Sequence, residues 1–191
     1  MSIYTREELQ GLGLGGYGQD VRISRRASLY GASRIVLGDH VRIDDFCVLS
    51  AGEGGIELGS YIHIAVYSSL IGAGRITVHD FANISSRVSI YSSSDDYSGE
   101  TMTNPMVPEA YKRVDHAPVV IGRHAIIGSG SIVLPGVTLH EGVAVGALSM
   151  VNRDIAPFMI CAGVPAKPVK PRSRALLAHE QSLLANLPPA E

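Results

Sequence analysis

With 191 residues, 16 basic against 18 acidic side chains and a formal charge of −2, the chain suits one good core with end pieces. It carries no field that would gather nucleic acid or an anionic membrane. Its two cysteines, Cys47 and Cys161, cannot build a disulfide framework and lack metal-ligand spacing, so they read as small buried hydrophobes in a reducing cytoplasm with no metal site.

No apolar run approaches the roughly 18 residues of a membrane span, and the start "MSIYTREELQ" lacks a signal-peptide core. Residues 1–16 hold a short helix: "TREEL" has Thr5 and Glu8 at capping-box spacing, and "GLGLGG" ends it. From residue 17 an aliphatic residue recurs every six positions, a period that neither an α-helix nor a flat strand keeps without a turn at each repeat. The phase runs through Tyr17, Ile23 and Leu29, then Leu37, Ile43 and Leu49, then Leu58, Ile64 and Leu70, then Val78, Ile84 and Ile90. It resumes at Ile121 and continues through Ile127, Val133, Leu139 and Val145 to Val151. Between triplets the spacing stretches to eight or nine, which marks a longer turn at one corner, so that three short strands make one coil.

The interruption at 91–120, "YSSSDDYSGETMTNPMVPEAYKRVDHAPVV", has no such phase and reads as a functional excursion loop, because a solenoid needs none for its own stability. Residues 166–191 follow as a basic segment, with Lys167, Lys170, Arg172 and Arg174, and a helix. Ser173 is its expected cap, Leu176, Leu177, Leu183 and Leu184 its apolar face, and the terminal prolines its stop. Both terminal helices are expected to cover the ends of the solenoid.

The residue after each phase position is often small (Gly38, Gly59, Ala65, Gly122, Gly128, Gly146), as tight corners would require. The pattern [LIV]-G-x-x-[STAV]-x resembles the hexapeptide repeat of the left-handed parallel β-helix acyltransferases. That resemblance covers 17–165 and implies an all-β prism of six coils, roughly 28 Å tall at the inter-strand spacing. Alternation then sends the neighbours of each phase residue outward. On the third face these include Val48, Ile71, Ile132, Leu134 and Met150, apolar enough to imply a subunit contact. On the second face His63 falls one strand spacing from Arg42 and Asn83, near Asp44, Ala65 and Ser85, a polar cluster beside a groove.

The resemblance to galactoside acetyltransferase and its relatives sharpens these candidates. Aligning "ITVHDFANISSRVSIYSSSDDYSG" with that family's coil puts Asp95 where the family carries its general-base histidine, and His63 where it has an acceptor-contacting tyrosine. An alcohol must lose its proton during attack, whereas a neutral amine is already nucleophilic, so the departure at Asp95 favours an amino acceptor. His63 and Asp95 are thus the candidate catalytic pair, with Asp44, Asn83, Ser85, Tyr91 and Asp96 as candidate substrate contacts. Their different corners imply that a neighbouring subunit supplies one of the pair.

For the acyl donor the resemblance implies a coenzyme A arm along the small residues of "IIGSGSI" and "VGALSMV", near Ser129, Gly146 and Ala147. The family's closing signature is matched by "AGVPAKPV", which brings Lys167 and Arg172 toward the coenzyme's phosphates. With "VRIDDFCVLSAG", the chain is similar to trimeric enzymes that N-acetylate nucleotide-linked 4-amino-4,6-dideoxyhexoses, such as dTDP-4-amino-4,6-dideoxyglucose, from acetyl-CoA for O-antigen or capsule synthesis. Three rivals are sugar O-acetylation, a γ-carbonic anhydrase-like zinc lyase and a non-catalytic scaffold. The zinc family pairs two ligands five residues apart, and none of the seven histidines here is so spaced.

Overall fold

The computed structural model describes residues 2–187. Each circuit of the chain lays one short strand on each of three parallel sheets, making a left-handed parallel β-helix. The first sheet stacks the strands that begin at Gly16, Ile35, Ile56, Ile76, Val119 and Thr138; the third stacks those that begin at Ser28, Val48, Ser69, Ser89, Ile132 and Met150. The second begins with Arg22 and continues at Arg42, His63, Asn83, Ile126, Ala144 and Met159. The strand Lys167–Pro171 then folds back antiparallel on Met159–Ala162. The solenoid sheet therefore runs on into the basic segment.

The six-residue phase becomes three vertical columns. Tyr17, Leu37, Leu58, Val78, Ile121 and Leu139 are partners in register on the first face. Ile23, Ile43, Ile64, Ile84, Ile127, Val145 and Cys161 are so on the second, and Leu29, Leu49, Leu70, Ile90, Val133 and Val151 on the third. All are buried except Tyr17 and Leu29 in the first coil, which are half-buried. Each fully buried aliphatic side chain contributes about 1.5–3 kcal/mol of transfer free energy, so the columns are the main source of stability. Val78 pairs directly with Ile121; the excursion leaves and re-enters without disturbing the stack.

The small residues after the phase positions serve a different purpose from the expected one. A Cβ on Gly38 would stand 2.7 Å from the Gly59 backbone, one on Gly122 2.6 Å from His140, and one on Gly128 2.5 Å from Ala147. They are small because the next coil passes that close. The tight, left-handed corner positions lie two residues further on, and large side chains occupy them: His40, Tyr61, Phe81 and His124 at one corner, and Phe46, Tyr67, Arg87 and Leu148 at the next, all with φ near +60°. Each such residue is strained by roughly 1–2 kcal/mol. The strain is offset by stacking, for the rings of His40, Tyr61, Phe81 and His124 form a continuous ladder with centroids 4.6–5.0 Å apart.

One place beyond Phe46, Tyr67, Leu148 and the equivalent corner residue Gly130 lie Cys47, Ser68, Ser149 and Ser131, all buried. Their polar atoms are satisfied by neighbouring coils: Ser68 Oγ donates to Ser85 O at 2.9 Å, Ser131 Oγ to Gly146 O at 3.0 Å, and Cys47 Sγ to Ala65 O at 3.1 Å. Burial pushes the Cys47 thiol up to about 11, which keeps it protonated and inert.

Helix α1, Arg6–Gly11, has its capping box in place: Glu8 N donates to Thr5 Oγ1 and Thr5 N to a Glu8 carboxylate oxygen. Leu9 is buried against the first coil. Helix α2, Leu176–Ala185, departs from expectation. Ala175 is its N-cap with no side-chain cap bond, while Ser173 only accepts from Ala175 N at 3.2 Å.

Among the described residues α2 buries no side chain, and Leu183 and Leu184 remain exposed. It is held laterally instead, by Glu180, whose carboxylate pairs with Arg123 and accepts from His124 Nε2 at 2.7 Å. The terminal prolines proposed as its stop lie outside the described residues. Among the described residues no helix is long and apolar enough to cross a membrane.

Candidate active site

Arg42, His63 and Asn83 are in-register neighbours on three successive strands of the second sheet. Asp44, two residues beyond Arg42 on the same coil, brings this row together. Its carboxylate accepts from Arg42 Nε at 2.7 Å and is bonded to His63 Nε2 at 2.9 Å. The Asp44 side chain is 8% exposed and that of His63 40%. Burial alone pushes the Asp44 carboxyl up, but the His63 and Arg42 donors outweigh it and hold it below the ordinary carboxylate range. Asp44 therefore faces His63 and Arg42, and its lone pairs are largely spent on them; Asn83 and Ser85 are half-buried on the coil next to that of His63.

The excursion starts as a two-stranded antiparallel ribbon, Ser93–Asp95 against Val114–His116, with Asp95 opposite Val114. Ser93 Oγ and His116 Nδ1 are 2.8 Å apart. The adjacent aspartates then part company. Asp95 is exposed and, with Tyr91 and Tyr97, lines a cavity of about 690 Å³ whose other wall is Ile132, Leu134, Pro135 and Met150. Three of the apolar third-face residues expected to meet a subunit, Ile132, Leu134 and Met150, thus also form one side of the Asp95 cavity.

Asp96 turns inward. It accepts from Ser98 N and Oγ at 2.8 and 2.6 Å, from Thr101 N and Oγ1 at 2.9 Å each, and from Arg113 Nη2 at 3.4 Å. The Ser98 and Thr101 donors hold its carboxyl well below the ordinary range. Its contacts make it the knot of the loop. Arg113, which the sequence did not single out, closes that knot and also reaches Glu100.

On the donor side, Ser129 and Ala147 occupy equivalent corner positions on consecutive coils, and both are exposed. The amides of Asp45, Val66, Ser86, Ser129 and Ala147 occupy one corner row, and none of them donates to the backbone among the described residues. Only at Ser129 and Ala147 are the residues themselves exposed. Gly146 beside them is half-buried and packs on Ala162.

Lys167 is exposed on the returning strand. Arg172 is not available in the same way: its Nη1 donates to the carbonyls of His124, Gly142 and Val143 at 2.9, 3.1 and 3.3 Å. These contacts make it a staple between the tail and the coils.

His63 and Asp95 lie on different sheets, and the cavity that Asp95 lines does not include His63. Nor do three or more His, Cys, Asp or Glu side chains among them come together as a metal ion would need.

No protein-family model matches the chain. It is 57% identical over 180 residues to the dTDP-4-amino-4,6-dideoxy-D-glucose acyltransferase of Escherichia coli, covering 94% of both chains. Among solved structures it resembles AntD, an N-acyltransferase from Bacillus cereus. A serine-to-alanine variant of that enzyme in complex with dTDP-4-amino-4,6-dideoxyglucose and coenzyme A superposes with a TM-score of 0.93 at 42% identity, covering 97% of this chain and 99% of that one. The complex of AntD with dTDP and 3-hydroxybutyryl-CoA matches with a TM-score of 0.92 at 43% identity, covering 96% and 97%.

Proposed function

Because the chain belongs to the nucleotide-linked amino-sugar N-acyltransferases of the left-handed β-helix class, we propose that it transfers an acetyl group from acetyl-CoA to the 4-amine of dTDP-4-amino-4,6-dideoxyglucose. The observation that carries this is the 57% identity, over 94% of both chains, to an acyltransferase for that sugar nucleotide. Complexes of AntD with the sugar nucleotide and with coenzyme A support it. The further setting is a cytoplasmic homotrimer supplying O-antigen or capsule synthesis.

The geometry supports this assignment chemically. The neutral amine attacks the thioester carbonyl, a nitrogen–carbon bond forms, and the adduct sheds one amine proton as the thiolate leaves. The exposed carboxylate of Asp95 above an apolar cavity, and the imidazole of His63 in its polar row, are the groups suited to receive that proton. Solved AntD structures include replacements of one aspartate and one serine, the residue types present here as Asp95 and Ser85.

The backbone amides of the exposed residues Ser129 and Ala147 suit the thioester or pantetheine oxygens, and Lys167 suits the phosphates. The separation of His63 from Asp95, together with the apolar Ile132, Leu134 and Met150 beside Asp95, supports a site completed between copies of the chain.

The test is thiol release by purified protein from acetyl-CoA and 3-hydroxybutyryl-CoA with the dTDP-amino sugar and with its 4-hydroxy analogue. Release with the amine, fastest from acetyl-CoA, is expected. Release only with the hydroxy sugar would overturn the amine assignment, and preference for the longer acyl chain would overturn the acetyl one.

A further inference from the structure

Asp44 stands where the fold asks for something smaller. One residue beyond each second-face core position the chain places Ser24, Asp44, Ala65, Ser85, Gly128, Gly146 and Ala162, so that Asp44 is the one charged member of a column of small residues. A solenoid packs this column with Ser, Ala or Gly, and a carboxylate there must be desolvated unless charged donors meet it. They do: Arg42 Nε holds Oδ1 at 2.7 Å and His63 Nε2 holds Oδ2 at 2.9 Å. Arg42 and His63 are register partners on adjacent coils, so the carboxylate is fixed on one side by its own strand and fixes the imidazole on the other.

We infer that Asp44 is a positioning residue which locks the neutral imidazole of His63 with its proton on Nε2 and leaves the Nδ1 lone pair free toward the acceptor amine. A carboxylate only accepts, so the nitrogen facing it carries the hydrogen. This rests on the reading that His63 serves acyl transfer. In that step the amine nitrogen bonds to the thioester carbon and Nδ1 takes the extra proton from the adduct. The carbon–sulfur electron pair departs with the thiolate. The imidazolium, stabilised by Asp44, then returns the proton to the thiolate, giving amide and free thiol.

The experiment combines ¹⁵N correlation spectra of the His63 ring with steady-state kinetics on the full chain, Asp44→Ala and the near-isosteric Asp44→Asn. Wild type is expected to show one tautomer protonated at Nε2. Asp44→Ala is expected to show tautomer exchange and a kcat lower by about tenfold or more, with KM for the acyl donor unchanged. Asp44→Asn, whose amide oxygen can still accept, is expected to fall between the two.

A wild-type ring protonated at Nδ1 would overturn the proposal. So would an Asp44 variant that melts at lower temperature yet keeps its kcat, since that marks a purely structural carboxylate. Full turnover in His63→Ala would sink the underlying reading of His63 instead, a result the tautomer measurement cannot imitate.

Discussion

In the coils each core side chain is buttressed from both sides by its own column, Ile84 by Ile64 and Ile127, whereas the excursion is organised around one carboxylate. Asp96 gathers Ser98, Thr101 and Arg113, and between the two ribbon strands the loop has a short 3₁₀ turn, Glu109–Tyr111, and an isolated bridge between Met102 and Lys112. The coil is redundant and local in register; the loop is a single polar knot with a cavity beneath it. A repeat that stabilises itself tolerates an insertion at a corner, and that insertion can be given over to chemistry.

Separating the two regions is the purpose of the first substitution, Asp95→Ala. If the loop supplies the chemistry and the coils the stability, kcat falls on the order of a hundredfold or more while the melting temperature stays at the wild-type value. Equal loss of both would erase the contrast. In the opposite sense, Ile84→Ala is expected to cost about 2–5 kcal/mol in urea unfolding. Ile84 is fully buried in mid-column, and it should affect KM little in the fraction that folds.

Acid probes the knot. The Asp96 carboxyl is depressed in the folded loop, so its contribution is fully present above the ordinary aspartate value of about 3.9 and lost as pH falls below that value toward the folded one. The Ser98 and Thr101 amide resonances should therefore hold constant from neutrality to about pH 4 and drift toward loop-like shifts below it, with the core amides unmoved. In Asp96→Asn they should already be displaced at neutral pH; unchanged amides there would mean that Asp96 does not organise the loop. The smallest effect is expected from Thr5→Ala, which removes the α1 capping box for about 1 kcal/mol, visible in thermal melts and silent in turnover.

Much of the body was readable because a period needs only local spacing. The phase from Ile23 to Val151 named the core columns in order, and Cys161 joined them as the small hydrophobe it was taken for. The corner ladder was not readable from the same pattern. His40, Tyr61, Phe81 and His124 look like unrelated surface residues until the coils stack, and their left-handed backbone is signalled by no glycine; their recurrence three places after each first-face core residue was the available clue.

The site divides the same way. Its neighbourhoods could be drawn from strand alternation and from resemblance, and His63, Arg42 and Asn83 do share a row. Which side chains were spent inside the protein could not.

What the order of residues determined by itself was the triangular coil, its buried columns and the place where it is interrupted, since each follows from spacing along a few residues and from the cost of leaving aliphatic surface in water. Tertiary structure alone decided that Asp96 is tied inward while its neighbour Asp95 faces a cavity, that Arg172 staples three carbonyls, and that Glu180 meets His124 from 56 residues away. Those outcomes depend on which donors arrive from other coils. A carboxylate or guanidinium takes the partners that desolvation forces on it, and those partners are set by stacking, not by sequence distance.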